Sequence, residues 1–293
     1  MRPSISPRIF LVPGARPDVT TAVKGLATRI MRRGTVVRPP TSSQEPAYDA
    51  AYVYRREYQD RLLKGTDVTR RPWDIHGIVA SKAHPGAIVV DSGCGTAYKS
   101  IRQAASVQLV IGLEPNAEMI GCAIRNAMIA GAYNVCFVTG DCDSMPFTDA
   151  TVDLVVSFLA PHNAREIHRV LKPGGWAVVE RVGDRDKENL KQYFGRDPEG
   201  PRGQLLHLAA GERARTMEQD FRALFSTVDA QNGFWETTYT VEQLRALLEQ
   251  TPTVRHYSAA ADRAAFDRLT QDLMVDGTVR TTQNRVLVVA QKH

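Results

Sequence analysis

The stretch VVDSGCGTAYK, residues 89–99, joins an apolar run to an acid and then to two glycines two residues apart. Glycine lets the backbone approach a ligand closely and adopt dihedral angles that a side chain would forbid. Asp91, Gly93 and Gly95 therefore predict a loop that holds a nucleotide-like cofactor. The pattern alone does not specify which cofactor.

A dinucleotide site requires a third glycine in the pattern GxGxxG, and Tyr98 occupies that position here. An acid beside the loop also suits a cationic α-amino group better than it suits a pyrophosphate. Glu114 follows Gly95 by nineteen residues and ends the next apolar run. Its carboxylate can accept hydrogen bonds from both hydroxyl groups of a ribose, and this role fits either class of cofactor.

The elements around this loop are continuous apolar runs that alternate with helical patterns, which predicts a parallel sheet covered on both faces. Such sheets bind ligands beyond the carboxyl ends of their strands, so the glycine loop and both acids should lie at one edge. The predicted strands are Ala87–Val90, Leu109–Glu114, Val135–Thr139, Val152–Phe158, Trp176–Val182, one within Thr227–Thr240, and Arg285–Ala290. Helices are predicted over Trp73–Lys82, after Gly95, and over Ala117–Ala130, Ala164–Leu171, Glu212–Phe225, Val241–Gln250 and Ala260–Met274.

Two later segments, GDCDSMPFTDATVDLVVSF and EIHRVLKPGGWAVVE, complete an ordered set of motifs between Ile88 and Glu180. This set resembles the core of class I S-adenosylmethionine-dependent methyltransferases. The resemblance implies S-adenosylmethionine as cofactor and a Rossmann-like α/β fold. It also implies a seven-stranded, mostly parallel sheet with helices on both faces, a last strand antiparallel to its neighbours, and a helical cap within residues 183–281.

The same resemblance implies roles for single residues. Asp91 would order the loop near the amino acid part of the cofactor, and Gly93 and Gly95 would give the loop room. Asp141 would accept a hydrogen bond from the adenine amino group, and the backbone amide of Cys142 would meet the ring. A turn or cap role is the alternative for Asp141.

Methyl transfer needs a nucleophile aligned behind the sulfonium methyl group, which is largely a matter of positioning. A base is needed only if the acceptor is protonated at the reaction pH. His162 follows the fourth predicted strand, close to where the methyl group would point, and is the candidate catalytic residue. The alternative is a solvent-exposed loop histidine.

The acceptor is predicted to be a small organic molecule, and RNA is the alternative. SFLAPHNAREIHRVLKPGGW and ALLEQTP resemble segments of the bacterial 23S ribosomal RNA (guanine-N1) methyltransferases, which carry an N-terminal four-cysteine zinc ribbon. No cysteine precedes Cys94, and the four cysteines of the chain form no CxxC pair, so no metal site is predicted. A non-catalytic protein that binds S-adenosylmethionine is a third possibility.

The first 46 residues differ from the rest in charge. They hold eight basic and two acidic side chains, a net charge of +6, whereas the remaining residues hold 29 basic and 30 acidic ones. A nearly neutral body does not predict a surface for polyanions. Residues 1–46 are predicted to form a mobile extension, with an organelle transit peptide as the alternative.

Residues 47–86 predict N-terminal helices, the first beginning near Tyr48, and residues 87–293 predict the methyltransferase domain. No apolar run approaches the length of a membrane span. The scattered cysteines fit a reducing compartment, so a cytoplasmic protein is predicted, with organelle import through the basic N-terminus as the alternative. The sequence leaves the oligomeric state open.

Overall fold

One eleven-stranded sheet runs through the computed structural model, which describes residues 8–14, 35–37, 63 and 65–293. Two further short strands, Arg196–Asp197 and Gly200–Pro201, form a separate sheet. In chain order the strands are β1 (Arg8–Leu11), β2 (Thr35–Val37), β3 (Thr66–Asp67), β4 (Ile88–Ser92), β5 (Leu109–Glu114), β6 (Val135–Thr139), β7 (Val152–Phe158), β8 (Leu171–Val182), β9 (Arg196–Asp197), β10 (Gly200–Pro201), β11 (Thr227–Thr240), β12 (Met274–Val275) and β13 (Thr278–Gln291).

The order of strands in the large sheet is β2-β1-β6-β5-β4-β7-β8-β13-β11-β3, and β12 pairs with β13. Strands β6, β5, β4, β7 and β8 are parallel neighbours. Strand β13 runs antiparallel to both β8 and β11, as predicted for the last strand. Because β4 pairs with β5 on one side and β7 on the other, strand order reverses at β4, and ligands of such sheets bind at this point.

The seven predicted strands correspond to β4–β8, β11 and β13. Two of them start earlier than predicted. Strand β8 begins at Leu171, and β13 begins at Thr278 rather than Arg285. The first half of β13 is polar, so it has no apolar pattern, and its pairing with β11 defines it as a strand.

Two segments of the predicted N-terminal extension belong to the sheet. Strand β1 runs antiparallel to β6, and β2 runs parallel to β1. Ile9 is buried, and the backbone N–H of Arg8 donates a hydrogen bond to Thr139 Oγ1 over 2.7 Å. The prediction of a mobile extension is therefore wrong for residues 8–11 and 35–37, because apolar residues of β1 pack on the core. The helix predicted from Tyr48 lies outside the described residues.

The helices are α1 (Ile75–Lys82), α2 (Tyr98–Ala104), α3 (Ala117–Ile129), α4 (Ala164–Val170), α5 (Glu188–Lys191), α6 (Glu212–Arg222), α7 (Val241–Gln250) and α8 (Arg263–Leu273). For each predicted helix within the described residues, the predicted ends and the observed ends differ by at most three residues. Asn116 and Asn163 accept hydrogen bonds from the first backbone N–H groups of α3 and α4, which explains where these helices begin.

Apolar side chains fill both faces of the sheet. Helices α4 and α6 contribute to the cluster on one face, which contains Val90, Val179 and Phe221. The cluster on the other face contains Val89, Val178 and residues of α1, α2 and α3. Successive residues of a strand point to opposite faces, so adjacent valines fall into different clusters. A third cluster joins α5, α7, α8 and Leu63 and forms the cap.

A buried charge network holds the start of the cap segment to β13. Asp186 pairs with Arg285 and accepts a hydrogen bond from Lys187 Nζ over 3.0 Å. Lys187 Nζ also donates to Gln283 Oε1 over 2.7 Å. Burial alone would raise the pKa of Asp186, but the charges of Arg285 and Lys187 outweigh burial and hold this pKa below its usual range.

We expect Asp186→Ala to lower the free energy of unfolding by about 3–5 kcal/mol, because it leaves Lys187 and Arg285 buried without their carboxylate. Urea denaturation measures this loss. The control is Asp267→Ala, which removes an exposed pair with Arg263 and should cost less than about 1 kcal/mol. Equal losses in the two variants would contradict a structural role for the network.

Candidate active site

The glycine loop after β4 has a backbone that other residues adopt only under strain. Gly93 has φ of 79° and Gly95 has φ of 55°, both in the left-handed region. A Cβ atom on Gly93 would lie 2.3 Å from Cβ of Ala160, so the loop after β7 packs directly against the glycine loop. The backbone N–H groups of Gly93 and Cys94 donate to the carbonyl of Leu113 over 2.8 and 3.1 Å. These bonds fix the loop to the end of β5.

Glu114 connects the glycine loop to the start of α3. Its Oε2 accepts a hydrogen bond from the Gly95 backbone N–H, and its Oε1 accepts one from the Asn116 backbone N–H, both over 3.0 Å. Burial raises the pKa of Glu114, and the two backbone hydrogen bonds oppose that rise. Each oxygen can accept another hydrogen bond, so the carboxylate fits a pair of neighbouring hydroxyl groups.

Asp91 is a buried acid at the end of β4. Its Oδ2 accepts a hydrogen bond from Ser100 Oγ over 2.6 Å. Burial raises the pKa of Asp91 to about 6, although Ser100 and the charge of Lys99 act to lower it. A cationic group placed beside such an acid favours its charged form, so this position fits an ammonium group.

Asp141 closes the turn after β6. Its Oδ1 accepts hydrogen bonds from the backbone N–H groups of Asp143 and Ser144, over 2.9 and 3.1 Å. The turn role considered for Asp141 is therefore present, and its role toward adenine stays a prediction. Cys142 is half-buried, and burial together with nearby acids raises the pKa of its thiol to about 11, so the thiol is protonated at neutral pH.

His162 is half-buried, and it packs on α6 instead of standing in solvent. Its ring lies 5.7 Å from the ring of Phe221, measured between centroids. Burial and the charges of Arg181 and Arg213 lower the pKa of His162 to about 4. The imidazole is therefore neutral at pH 7 and a weak base. Its predicted catalytic role stays a prediction, and the exposed-loop alternative is wrong.

Two arginines near His162 did not emerge from the sequence motifs. Arg181 lies on β8 in the alternate row that contains Ala177 and Val179, on the sheet face whose apolar cluster includes residues of α6. Arg213 lies in the first turn of α6, in line with Met217 at the i,i+4 spacing. Both positions could have been found from these periodicities, but no motif marks them as functional.

Asp184 holds the start of α6 near these arginines. It is 1% exposed, and its Oδ2 accepts a hydrogen bond from the Arg213 backbone N–H over 3.2 Å. The charge of Arg181 acts on both His162 and Cys142, and that of Arg213 acts on His162. The ends of β6, β7, β8 and α6 thus bring these side chains together.

Residues 89–175 match the methyltransferase domain family. A malonyl-acyl-carrier-protein O-methyltransferase of Methylococcus capsulatus is 25% identical over 76% of this chain and 80% of its own length. Another, from Pectobacterium atrosepticum, is 31% identical over 39% of this chain, and the match spans 46% of the relative. The solved structure of the YcgJ protein from Bacillus subtilis has a TM-score of 0.53 at 19% identity and covers 75% of this chain and 98% of that one, which shows the same fold.

The chain carries a class I methyltransferase domain. Methyltransferases of this class take S-adenosylmethionine as methyl donor, so it is the cofactor of the domain. The chemistry of the site fits this cofactor. Asp91 is a buried acid at the end of β4, Glu114 is a carboxylate with free acceptor capacity at the end of β5, and the loop after β4 carries two glycines, a set that suits a cofactor with an ammonium group and neighbouring hydroxyl groups. None of the helices in the described part of the chain could cross a membrane.

We expect Gly93→Ala to weaken S-adenosylhomocysteine affinity by about tenfold or more, because the new methyl group would force the two loops apart. Gly174→Ala is the matched control, since Gly174 also has φ of 79° and no atom lies within 4 Å of its would-be Cβ. The control should lose about 1–2 kcal/mol of stability from backbone strain and no affinity. Calorimetry measures the S-adenosylhomocysteine affinity of both variants and of Gly93→Ala combined with Ala160→Gly. Affinity unchanged in Gly93→Ala would show that the loop contact does not matter for binding.

The raised pKa of Asp91 predicts that cofactor affinity depends on pH. An ammonium group needs the charged carboxylate, so below pH 6 a proton must leave Asp91 on binding, and affinity should fall by up to about tenfold per pH unit. Asp91→Asn should bind the cofactor weakly at every pH, and its affinity should show no fall below pH 6. Titration calorimetry from pH 5 to pH 8, in buffers with different ionisation enthalpies, measures both affinity and released protons. A flat affinity profile in the wild type would contradict the role of Asp91.

Proposed function

We propose that this protein transfers a methyl group from S-adenosylmethionine to a small organic acceptor. The observation that carries the proposal is the contact between Gly93 and Ala160. It sets the loop that bears His162 beside the cofactor loop, at the point where strand order reverses. The relatives named as O-methyltransferases of malonyl-acyl-carrier-protein support an organic acceptor.

In this proposal the described acids bind the cofactor. Asp91 faces its ammonium group, and Glu114 accepts hydrogen bonds from the ribose hydroxyls. Asp141 and the backbone amide of Cys142 form the adenine side of the site, at the end of β6. Charged or buried hydrogen bonds of this kind contribute about 1.5–3 kcal/mol each.

The cofactor, when bound, supplies an electrophilic methyl group on its sulfonium sulfur. The chain must then hold the acceptor in line with that methyl group and keep water away. His162 stands on the acceptor side as a neutral imidazole, able to donate or accept one hydrogen bond. Its low pKa makes it a poor general base for an alcohol. The site therefore suits an acceptor that is already deprotonated at pH 7.

RNA is the second candidate acceptor, because SFLAPHNAREIHRVLKPGGW resembles the RNA (guanine-N1) methyltransferases. The near-neutral charge of residues 47–293 argues against it, since phosphate contacts supply much of the affinity for nucleic acid. Methyl transfer from labelled S-adenosylmethionine to small acceptors and to RNA distinguishes the two. Salt-dependent RNA binding and methylation of RNA would refute the proposal, as would tight cofactor binding with no transfer to any acceptor.

Glu114→Ala tests the cofactor half of the proposal. It should weaken S-adenosylhomocysteine affinity by about ten- to a hundredfold, because the ribose and two backbone N–H groups lose their acceptor. Glu242→Ala, an exposed glutamate in the first turn of α7, is the control and should bind like the wild type. Calorimetry measures both dissociation constants, and equal values would remove Glu114 from the ribose role.

A further inference from the structure

A left-handed backbone and an exposed large apolar side chain occur together at one described residue, Leu159. Its φ is 58°, and it is 42% exposed. An exposed leucine by itself is normal, but a bulky residue at positive φ is uncommon and strained. Strained residues of this kind cluster at functional sites, where the surrounding structure holds them in place. A leucine that is both strained and exposed therefore points to a ligand that contacts it.

Hydrogen bonds and packing hold the backbone of Leu159 in this conformation. Its backbone N–H donates to the carbonyl of Glu180 on β8 over 2.8 Å. The next residue, Ala160, packs against Gly93, and the hydroxyl of the buried Ser157 lies 3.5 Å from the Ala160 carbonyl oxygen. These contacts involve the backbone and the neighbours of Leu159, and they leave its own side chain partly in solvent. The fold thus presents this side chain at the carboxyl edge of the sheet.

The strand order separates Leu159 from the residues that we propose to bind the cofactor. Asp91, Glu114 and Asp141 lie at or after the ends of β4, β5 and β6, which are consecutive neighbours in the sheet. Leu159 follows β7, which pairs with β4 on its other side. It is also the residue before Ala160, which touches the glycine loop. A ligand at Leu159 therefore lies beside the cofactor loop but outside the half that suits ribose and adenine, and this is the position of a methyl acceptor.

The residues next to Leu159 bring further apolar surface to this edge. The side chain of Phe158 ends β7, and Phe158 pairs in register with Glu180. The indole Nε1 of Trp73 donates a hydrogen bond to Glu180 Oε1 over 2.8 Å, which places the half-buried indole beside the same residue of β8. A ligand gains free energy when its own apolar groups cover a leucine that water would otherwise contact. The edge therefore favours an acceptor with a hydrocarbon part.

We propose that Leu159 selects the methyl acceptor by contacting an apolar carbon group next to the atom that receives the methyl group. This inference rests on the proposed methyl transfer and names the part of the acceptor that is recognised. The strained backbone aims the side chain, and the acceptor covers its exposed surface. The contact concerns the carbon body of the acceptor, so it applies equally to an oxygen, nitrogen or sulfur nucleophile.

Thermal unfolding tests the strain at Leu159. Glycine is normally less favourable than alanine, but at positive φ the order should reverse, so Leu159→Gly should have a Tm about 2–4 °C above that of Leu159→Ala. Ala150→Gly is the matched control, because Ala150 lies before the other end of β7 and has φ of 54°. It should raise the Tm and leave methyl transfer unchanged. A Tm of Leu159→Gly below that of Leu159→Ala would overturn the inference, because the leucine would then be unstrained.

Methyl transfer tests the recognition. The full chain is incubated with labelled S-adenosylmethionine and with straight-chain carboxylic acids, thiols and amines of increasing length, beginning with acetic acid, ethanethiol and ethylamine. In the wild type, kcat/KM should rise by about three- to fourfold for each of the first added methylene groups. Leu159→Ala should lower kcat/KM by about tenfold for the longer acceptors and by less than about twofold for the shortest.

Two variants of similar size separate the apolar character of Leu159 from its volume. Leu159→Met keeps an apolar side chain and should retain the dependence on chain length. Leu159→Asn suits the same backbone but is polar, so it should lose as much as Leu159→Ala. A wild-type kcat/KM that does not change with chain length, or wild-type behaviour of Leu159→Asn, would overturn the inference.

A binding measurement gives a readout without turnover. The full chain, isotope-labelled at its leucine methyl groups and saturated with S-adenosylhomocysteine, is titrated with butan-1-ol and separately with glycerol, an alcohol of similar size. Butan-1-ol should shift the Leu159 methyl resonances, which Leu159→Asn assigns, and glycerol should leave them in place. Ala150→Gly should respond like the wild type. Equal shifts with both alcohols, or no shift with butan-1-ol, would overturn the contact.

The two levels fail differently. Transfer that does not depend on the chain length of the acceptor would leave the proposed function in place and refute only the role of Leu159. Failure to bind S-adenosylhomocysteine, or no transfer to any acceptor despite binding it, would refute the proposed function itself.

Discussion

The arrangement of the site depends on the contact between two loops at the carboxyl edge of the sheet. Gly93 leaves no room for a side chain against Ala160, so the loops after β4 and β7 have one relative position. Hydrogen bonds also attach the first loop to Leu113 and Glu114 of β5. The second loop leads directly to Asn163, which caps α4. The contact therefore sets the distance between the glycine loop and the loop that carries His162.

Charge divides this edge into two halves. The buried acids Asp91 and Glu114 lie at the ends of β4 and β5, whereas Arg181 and Arg213 lie beyond them on β8 and α6. Burial shifts the pKa of each acid upward, and burial with the two positive charges shifts that of His162 downward. The half that holds Asp91 and Glu114 would therefore gain from a ligand with a cationic group.

The sequence predicted the central sheet well, because its strands are continuous apolar runs that end in the same kind of turn. It also predicted that Asp91, Gly93 and Glu114 lie together at one edge of the sheet, since these residues follow one another within two strands and their loops. It did not predict β1 and β2, since three or four residues joined to an edge strand carry little periodic signal. Nor did it single out Arg181 and Arg213, which are far apart in sequence and come near His162 only because α6 packs on the face of the sheet that contains Val179.

The backbone that carries Arg181 is fixed by its pairing with β13. Arg181 pairs with Val286 in register, and two residues later a Cβ on Gly183 would lie 1.9 Å from Asn284 Oδ1. The Gly183 backbone N–H donates to the Asn284 carbonyl over 2.8 Å, and Asp186 then enters the buried network with Arg285. The segment that carries Arg181 therefore leads directly into the residues that hold the cap to β13.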